Sequence, residues 1–219
     1  MADPQEQREQ ARLACLRGDY AEAYRLYEQL LSVEPEDPRT LLDYGRAKYR
    51  EYADLEGATG LFLRLAAAQP GSVEAQLWLG DLYSLGYGAG YPAAAERYRA
   101  AMRLDPREVD AYIGLGMLHR APSAAVTLDQ AVEAFRTAVE LEPTRADARV
   151  DLGMALLEAG QREDAERELV AAERLLRDAG ETKQAQGIRA LIDWLATGRA
   201  PRPPAYSNQS PRYRWPLTP

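Results

Sequence analysis

Lysine, cysteine and histidine are scarce in this chain of 219 residues. The only lysines are Lys48 and Lys183, so arginine supplies almost all of the positive charge, a bias typical of GC-rich bacterial genomes. One cysteine, Cys15, and one histidine, His119, are too few for a disulfide framework or a Cys/His metal cluster, and they make a Ser-His-Asp triad hard to build. We therefore expect no metal, no cofactor, no catalytic residue and a reducing compartment.

Positive charge is also in short supply outside the C-terminus. The chain has 27 Lys and Arg against 34 Asp and Glu, a net charge of -7, and four of the arginines fall in residues 198–219, which contain no acid. An acidic surface of this kind repels phosphates and anionic lipid headgroups. The sequence also lacks a membrane-length apolar run and the basic and apolar regions of a signal peptide. We expect a cytoplasmic protein with neither nucleic acid nor membrane as a partner.

A period of about 35 residues runs along most of the chain. Two columns of small residues recur, an aromatic residue or leucine stands four places after the second column, and proline closes four of the five units. The columns are Ala11, Gly45, Gly80, Gly116 and Gly153; Ala23, Ala58, Ala94, Ala131 and Ala165; Tyr27, Phe62, Tyr98, Phe135 and Leu169; and Pro35, Pro70, Pro106 and Pro143. Small residues allow two helices to approach closely, and proline ends a helix.

This pattern resembles the tetratricopeptide repeat, a helix-turn-helix unit of 34 residues. The resemblance implies an all-α, right-handed solenoid of five such repeats. It places them at about residues 4–37, 38–72, 73–108, 109–145 and 146–179, followed by a capping helix at about 181–195, which together make a solenoid domain over 1–197. Residues 198–219, rich in Pro, Arg and aromatic residues, form an extended tail in this division.

The resemblance also implies a site, because in this family the first helix of each repeat lines a concave groove that binds peptides or helices. The matching positions give a partner-binding set of Arg8, Arg12, Arg46, Tyr49, Arg50, Leu77, Trp78, Asp81, Ile113, Met117, Asp151 and Met154. Its arginines would position acidic side chains, and Trp78, Ile113, Met117 and Met154 would anchor apolar ones. We predict that Trp78 faces solvent in this groove, the alternative being that Trp78 and the methionines pack as ordinary core.

Two other residues that could carry chemistry are predicted to be structural. His119 occupies a column that faces the interior between helices, which favours a packed imidazole over an acid or base. Cys15 lies near the inner surface of the first repeat, where a small buried hydrophobe is the more frequent role.

These patterns predict an interaction scaffold without enzymatic activity that binds a protein or peptide partner. A second hypothesis is self-assembly, in which Arg212, Tyr213, Arg214, Trp215 and Pro216 dock into the groove of a neighbouring chain or of their own, since proline-rich segments enter grooves at low entropic cost. The alternative is a solvated tail or a tether that another protein recognises. An enzyme accessory subunit or a small-ligand sensor is a weaker possibility.

Overall fold

Helices account for all the regular structure in the parts of the chain that the computed structural model describes, which are residues 3–51, 54–86, 90–122 and 125–197. The all-α class expected from the repeat is therefore confirmed. The helices are α1 (Pro4–Leu16), α2 (Tyr20–Val33), α3 (Pro38–Glu51), α4 (Leu55–Ala68), α5 (Val73–Ser84), α6 (Gly90–Leu104), α7 (Val109–Met117), α8 (Leu128–Leu141), α9 (Ala146–Glu158), α10 (Arg162–Asp178) and α11 (Thr182–Thr197), with a 3-10 turn at Leu118–Arg120 after α7. None of the described helices combines the length and the apolar character that crossing a membrane requires.

Local sequence explains where these helices begin. Side chains of Asp19, Asp54 and Ser72 accept a hydrogen bond from the backbone N–H three residues later, which satisfies one of the unpaired donors at a helix start. Thr127 forms a full capping box with Gln130 at the start of α8.

Proline and glycine explain where the helices end. The second helix of each of the first four hairpins ends two residues before a proline, as α2 does before Pro35 and α8 before Pro143. Gly18 and Gly160 make the tight turns inside two hairpins with φ of 78° and 75°, in the left-handed region that glycine adopts without strain.

The described chain divides into two compact units between Asp105 and Pro106. Unit 1 holds three hairpins, in which α1 packs on α2, α3 on α4 and α5 on α6. A methyl group added at Gly45 would lie 2.7 Å from ring atoms of the fully buried Phe62, and one at Gly80 would lie 2.7 Å from the ring of Tyr98. The small and aromatic columns therefore meet inside unit 1, as the sequence predicts.

Unit 2 repeats the same packing. Here α7 packs on α8, and α9 on α10. A methyl group at Gly116 would lie 2.7 Å from the ring of Phe135, and one at Gly153 would lie 2.8 Å from Leu169. The last helix, α11, shares a hydrophobic cluster with α9 and α10. The repeat limits and the separation of a tail remain predictions, and residues 198–219 lie outside the described residues.

Candidate partner-binding surface

The predicted partner-binding residues lie on the first helices of the hairpins, and each unit carries its own set. In unit 1 they are Arg8 and Arg12 on α1, Arg46, Tyr49 and Arg50 on α3, and Leu77, Trp78 and Asp81 on α5; in unit 2 they are Ile113 and Met117 on α7, and Asp151 and Met154 on α9. Some of these residues are exposed on the surface, and others are buried in the core.

Arg8 is engaged within unit 1. Its guanidinium donates to Asp37 at 3.0 Å and to the Thr40 hydroxyl at 3.3 Å, which links α1 to the start of α3. Burial acts to raise the pKa of Asp37, but hydrogen bonds from the Thr40 hydroxyl and backbone N–H, together with the charge of Arg8, hold that pKa below its ordinary value. This ion pair is a structural contact between α1 and the residue that precedes α3, so Arg8 is poorly placed to bind a partner.

A second network surrounds Asp43 on α3. The carboxylate lies 3.9 Å from Arg12 and 4.0 Å from Arg46, and Arg46 reaches Glu74 of α5 at 2.7 Å. Burial raises the pKa of Asp43 even though both arginines act to lower it. Arg46 thus serves mainly to tie α3 to α5.

Arg12 and Arg50 are the more available cations of this set. The Arg12 side chain is 54% exposed, and its contacts with Glu9 and Asp43, at 3.4 and 3.9 Å, are long. Arg50 is exposed in the last turn of α3 and forms no hydrogen bond or ion pair with any residue that the structure describes. It lies close enough to Cys15 of α1 for its charge to act on that thiol. Arg12 of α1 and Arg50 of α3 are therefore the exposed arginines of the predicted set.

Trp78 is not on the surface. It is 6% exposed, stacks on Phe62 with ring centroids 5.4 Å apart, meets the edge of Tyr49 at 5.1 Å, and has the Arg46 guanidinium 5.7 Å from its ring centroid. The expectation of a solvent-facing Trp78 is wrong, and the core alternative is the one observed. The sequence of α5 indicates this burial, because the helix is apolar around most of its circumference, which is typical of a helix packed on several sides.

Neighbouring predicted residues share this burial. Leu77 and Tyr49 are buried, and Asp81 is a buried carboxylate that accepts a hydrogen bond from the Tyr98 hydroxyl at 2.7 Å. Buried polar groups need such partners, so Asp81 joins the two helices of its hairpin rather than facing a ligand. Tyr49, Leu77, Trp78 and Asp81 are thus corrected from surface to core.

In unit 2 the predicted set is also divided. Ile113 is fully buried in α7, so its expected role as a surface anchor is wrong as well. Met117, Asp151 and Met154 are half-buried, and Met154 leans on the hydrophobic cluster shared with α11. The two methionines are therefore the apolar members of the predicted set that keep an exposed portion.

His119 forms a cluster that sequence reasoning did not name. Its ring is buried against Phe135, with Nδ1 2.7 Å from the Gly116 carbonyl oxygen and Nε2 2.9 Å from a carboxylate oxygen of Glu158. Arg120 donates to the other Glu158 oxygen at 2.6 Å. Burial acts to raise the pKa of Glu158, but hydrogen bonds from His119 and Arg120 hold it below its ordinary value. The packed imidazole predicted for His119 is therefore confirmed. Its partner Glu158 is 39 residues away in sequence, so the repeat pattern did not indicate this pair.

Cys15 is poorly suited to act as a nucleophile. The side chain is buried, as predicted, and burial raises the pKa of its thiol although Arg50 acts to lower it. A thiol that stays protonated is a poor nucleophile. Across the described ranges no three His, Cys, Asp or Glu side chains are grouped as a metal ion would require.

Residues 124–192 match a family model described as Tetratricopeptide repeat. This part of the chain therefore contains tetratricopeptide repeat sequence. This match lies in unit 2, where the packing of Gly116 on Phe135 and Gly153 on Leu169 provides the physical basis of the repeat. A search of curated proteins found no match to the sequence.

Solved structures share the tetratricopeptide fold of this chain. MamA from Desulfovibrio magneticus RS-1 is 22% identical, with a TM-score of 0.65 over 81% of this chain and 98% of that one. TTC0263, a thermophilic TPR protein from Thermus thermophilus, is 21% identical, with a TM-score of 0.63 over 89% of this chain and 99% of that one. YrrB, described as a TPR protein with an unusual peptide-binding site, is 19% identical, with a TM-score of 0.62 over 85% of this chain and 92% of that one.

Proposed function

We propose that this tetratricopeptide repeat protein is an interaction scaffold without enzymatic activity, which binds a segment of a partner protein on the first helices of its hairpins. Tetratricopeptide repeats generally serve as protein-interaction modules, and YrrB is described as having a peptide-binding site. The state of the two reactive residues supports binding over catalysis. Both ring nitrogens of His119 face oxygen atoms of the protein, and the Cys15 thiol is buried.

The observation that carries the proposal is the contrast among the arginines of unit 1. Arg8 and Arg46 are held by close ion pairs, whereas Arg12 has only long contacts and Arg50 has no ion pair among the described residues. An exposed guanidinium without a close partner can pair with a carboxylate in bidentate geometry. We therefore propose that Arg12 and Arg50 bind acidic side chains of the partner segment, in an extended or helical conformation.

Unit 2 would add apolar contacts of its own. Met117 and Met154 are half-buried, and methionine adapts its shape to different apolar surfaces because its side chain is unbranched and polarizable. In this proposal they contact apolar side chains of the partner, a role for which Trp78 and Ile113 are too deeply buried.

The test is affinity capture of partners from an extract of the source cells, with the full chain as bait. The double variant Arg12→Glu/Arg50→Glu should lose the bound proteins that the wild type retains. Arg103→Glu is the matched control, because Arg103 is an exposed arginine of unit 1 on the second helix of its hairpin, with no ion pair among the described residues. Equal capture by the wild type and the double variant would overturn the proposal. Loss in the control as well would show a nonspecific effect of charge and would also count against it.

A further inference from the structure

The contact between His119 and Glu158 joins two hairpins of unit 2. His119 lies in the 3-10 turn that follows α7, and Glu158 is the last residue of α9. The imidazole is 5% exposed and lies edge-on to the ring of Phe135 on α8, with ring centroids 6.4 Å apart. Packing against α8 therefore fixes the ring in the orientation from which it reaches across to α9.

Both ring nitrogens of His119 face an oxygen atom at hydrogen-bonding distance. Nδ1 lies 2.7 Å from the Gly116 carbonyl oxygen, which can only accept, and Nε2 lies 2.9 Å from a carboxylate oxygen of Glu158. A neutral imidazole has one N–H donor and one bare nitrogen. It would turn a lone pair toward one of these two oxygens, whereas an imidazolium donates to both.

Glu158 supplies the negative charge that an imidazolium needs. Hydrogen bonds from His119 and Arg120 hold the pKa of Glu158 below its ordinary value, although burial acts to raise it, so the group is a carboxylate near neutral pH. Arg120 donates to the other carboxylate oxygen through Nη2 and Nε, at 2.6 and 3.0 Å.

The surroundings of His119 on the other helices are uncharged in these contacts. Phe135 of α8 offers an aromatic ring, and Gly116 of α7 offers a backbone carbonyl. The charged groups that the structure places around the imidazole are therefore Glu158, which contacts it, and Arg120, which binds the far oxygen of that carboxylate. One carboxylate thus lies between two cations, and an opposite charge in contact favours the charged form of histidine.

We propose that His119 is a proton-controlled contact between these two hairpins, in which the imidazolium holds the turn after α7 against the end of α9 and loss of its proton releases the pair. Histidine changes charge between about pH 5 and 8. The contact therefore responds to pH in a range where carboxylates and arginines keep their charge. This inference does not depend on partner binding.

The direction of the response follows from the two groups. As pH rises and His119 loses a proton, either tautomer turns a lone pair toward an oxygen and loses the charge attraction to Glu158, so stability present in the protonated form disappears. At the acid end, the contribution of Glu158 is present above its unfolded pKa of about 4.3 and is lost as pH falls through the lower folded value. The contact should be closed between these two titrations.

Nuclear magnetic resonance of the full chain tests the proposal, because His119 is the only histidine and its two ring nitrogens give one pair of signals. Glu158→Gln keeps the size of the side chain and removes its charge. It should move the midpoint of the His119 titration to lower pH by about one unit, a roughly tenfold loss of proton affinity. Glu140→Gln is the matched control, because Glu140 is an exposed glutamate of α8 with no hydrogen bond or ion pair among the described residues. Equal midpoints in the wild type and Glu158→Gln, or equal shifts in both variants, would overturn the proposal.

Urea denaturation at two pH values gives a second readout. Relative to the wild type, Glu158→Gln should raise the unfolding equilibrium constant about tenfold more at pH 5.5 than at pH 8.5, because a shift of one pH unit in the midpoint corresponds to that factor. An equal effect at both pH values would overturn the proposal, because it would show that Glu158 acts through Arg120 alone.

Discussion

Adding one methyl group at Gly45 tests the packing on which the repeat depends. In Gly45→Ala the new carbon would lie 2.7 Å from two ring carbons of Phe62 and 3.1 Å from a third. Relaxed carbon contacts are about 3.5–4.0 Å, so the overlap approaches 1 Å. Phe62 is fully buried and stacked on Trp78, so its ring cannot move aside without disturbing a second ring.

The expected loss in the free energy of unfolding is the balance of two opposing effects. Overpacking a filled core costs about 1–3 kcal/mol, while alanine improves helix propensity over glycine by about 1 kcal/mol. Because contacts of 2.7 Å with a fully buried ring place the overpacking cost in the upper part of its range, we expect Gly45→Ala to lower the free energy of unfolding by about 1–2 kcal/mol. Urea denaturation followed by circular dichroism at the helix band measures this as a lower midpoint with an unchanged slope.

Gly60→Ala is the matched control, because it makes the same substitution in the neighbouring helix α4. A methyl group at Gly60 would meet no heavy atom within 4 Å, so only the propensity term remains. The control should gain about 0.5–1 kcal/mol. A Gly45→Ala variant as stable as the wild type, or one that matched the gain of Gly60→Ala, would refute the predicted clash with Phe62.

Further predictions concern buried polar groups, each checked by the same denaturation assay. Asp37→Asn should cost about 1 kcal/mol or more at pH 7, because the side chain caps α3 and pairs with Arg8; a neutral result would contradict the lowered pKa of Asp37. The side chains of Asp43 and Asp37 are both 15% exposed. Asp43→Asn should nevertheless leave the free energy of unfolding unchanged or raise it, since burial raises the pKa of Asp43. The stability that Asp37 contributes should be present above its unfolded pKa of about 3.9 and be lost as pH falls through the lower folded value. Ionisation of Asp43 should instead lower the free energy of unfolding as pH rises, because the folded pKa is raised. Wild-type and variant curves of unfolding free energy against pH that run parallel between pH 2 and 7 would exclude both effects. Tyr98→Phe should cost about 1–3 kcal/mol, because buried Asp81 loses a donor; an unchanged midpoint would count against that hydrogen bond.

The sequence predicted the fold well because two columns of residues determine how the helices of a hairpin meet. Gly45 against Phe62 and Gly116 against Phe135 are such pairs, and both contacts are observed. Proline at position 35 and its counterparts gave the helix ends in the same way.

The surface was harder to predict than the core packing. A residue's position in the repeat indicates which side of a helix it occupies. It does not indicate how deeply the neighbouring helix covers that side. For this reason Trp78 and Ile113 were expected on the surface although both are buried. Ion pairs such as Arg8 with Asp37 join residues 29 apart in sequence, and His119 meets Glu158 39 residues away. Arginine and acidic residues are numerous along the chain, so composition alone could not select these pairs.

Hydrogen exchange of the chain with and without the partner recovered by affinity capture tests the central claim most directly. We predict that the partner slows exchange in residues 4–16 and 38–51, the first helices that carry Arg12 and Arg50, and that Arg12→Glu/Arg50→Glu abolishes this protection. Protection confined to the second helices α2, α4 and α6, with the first helices unchanged, would contradict it.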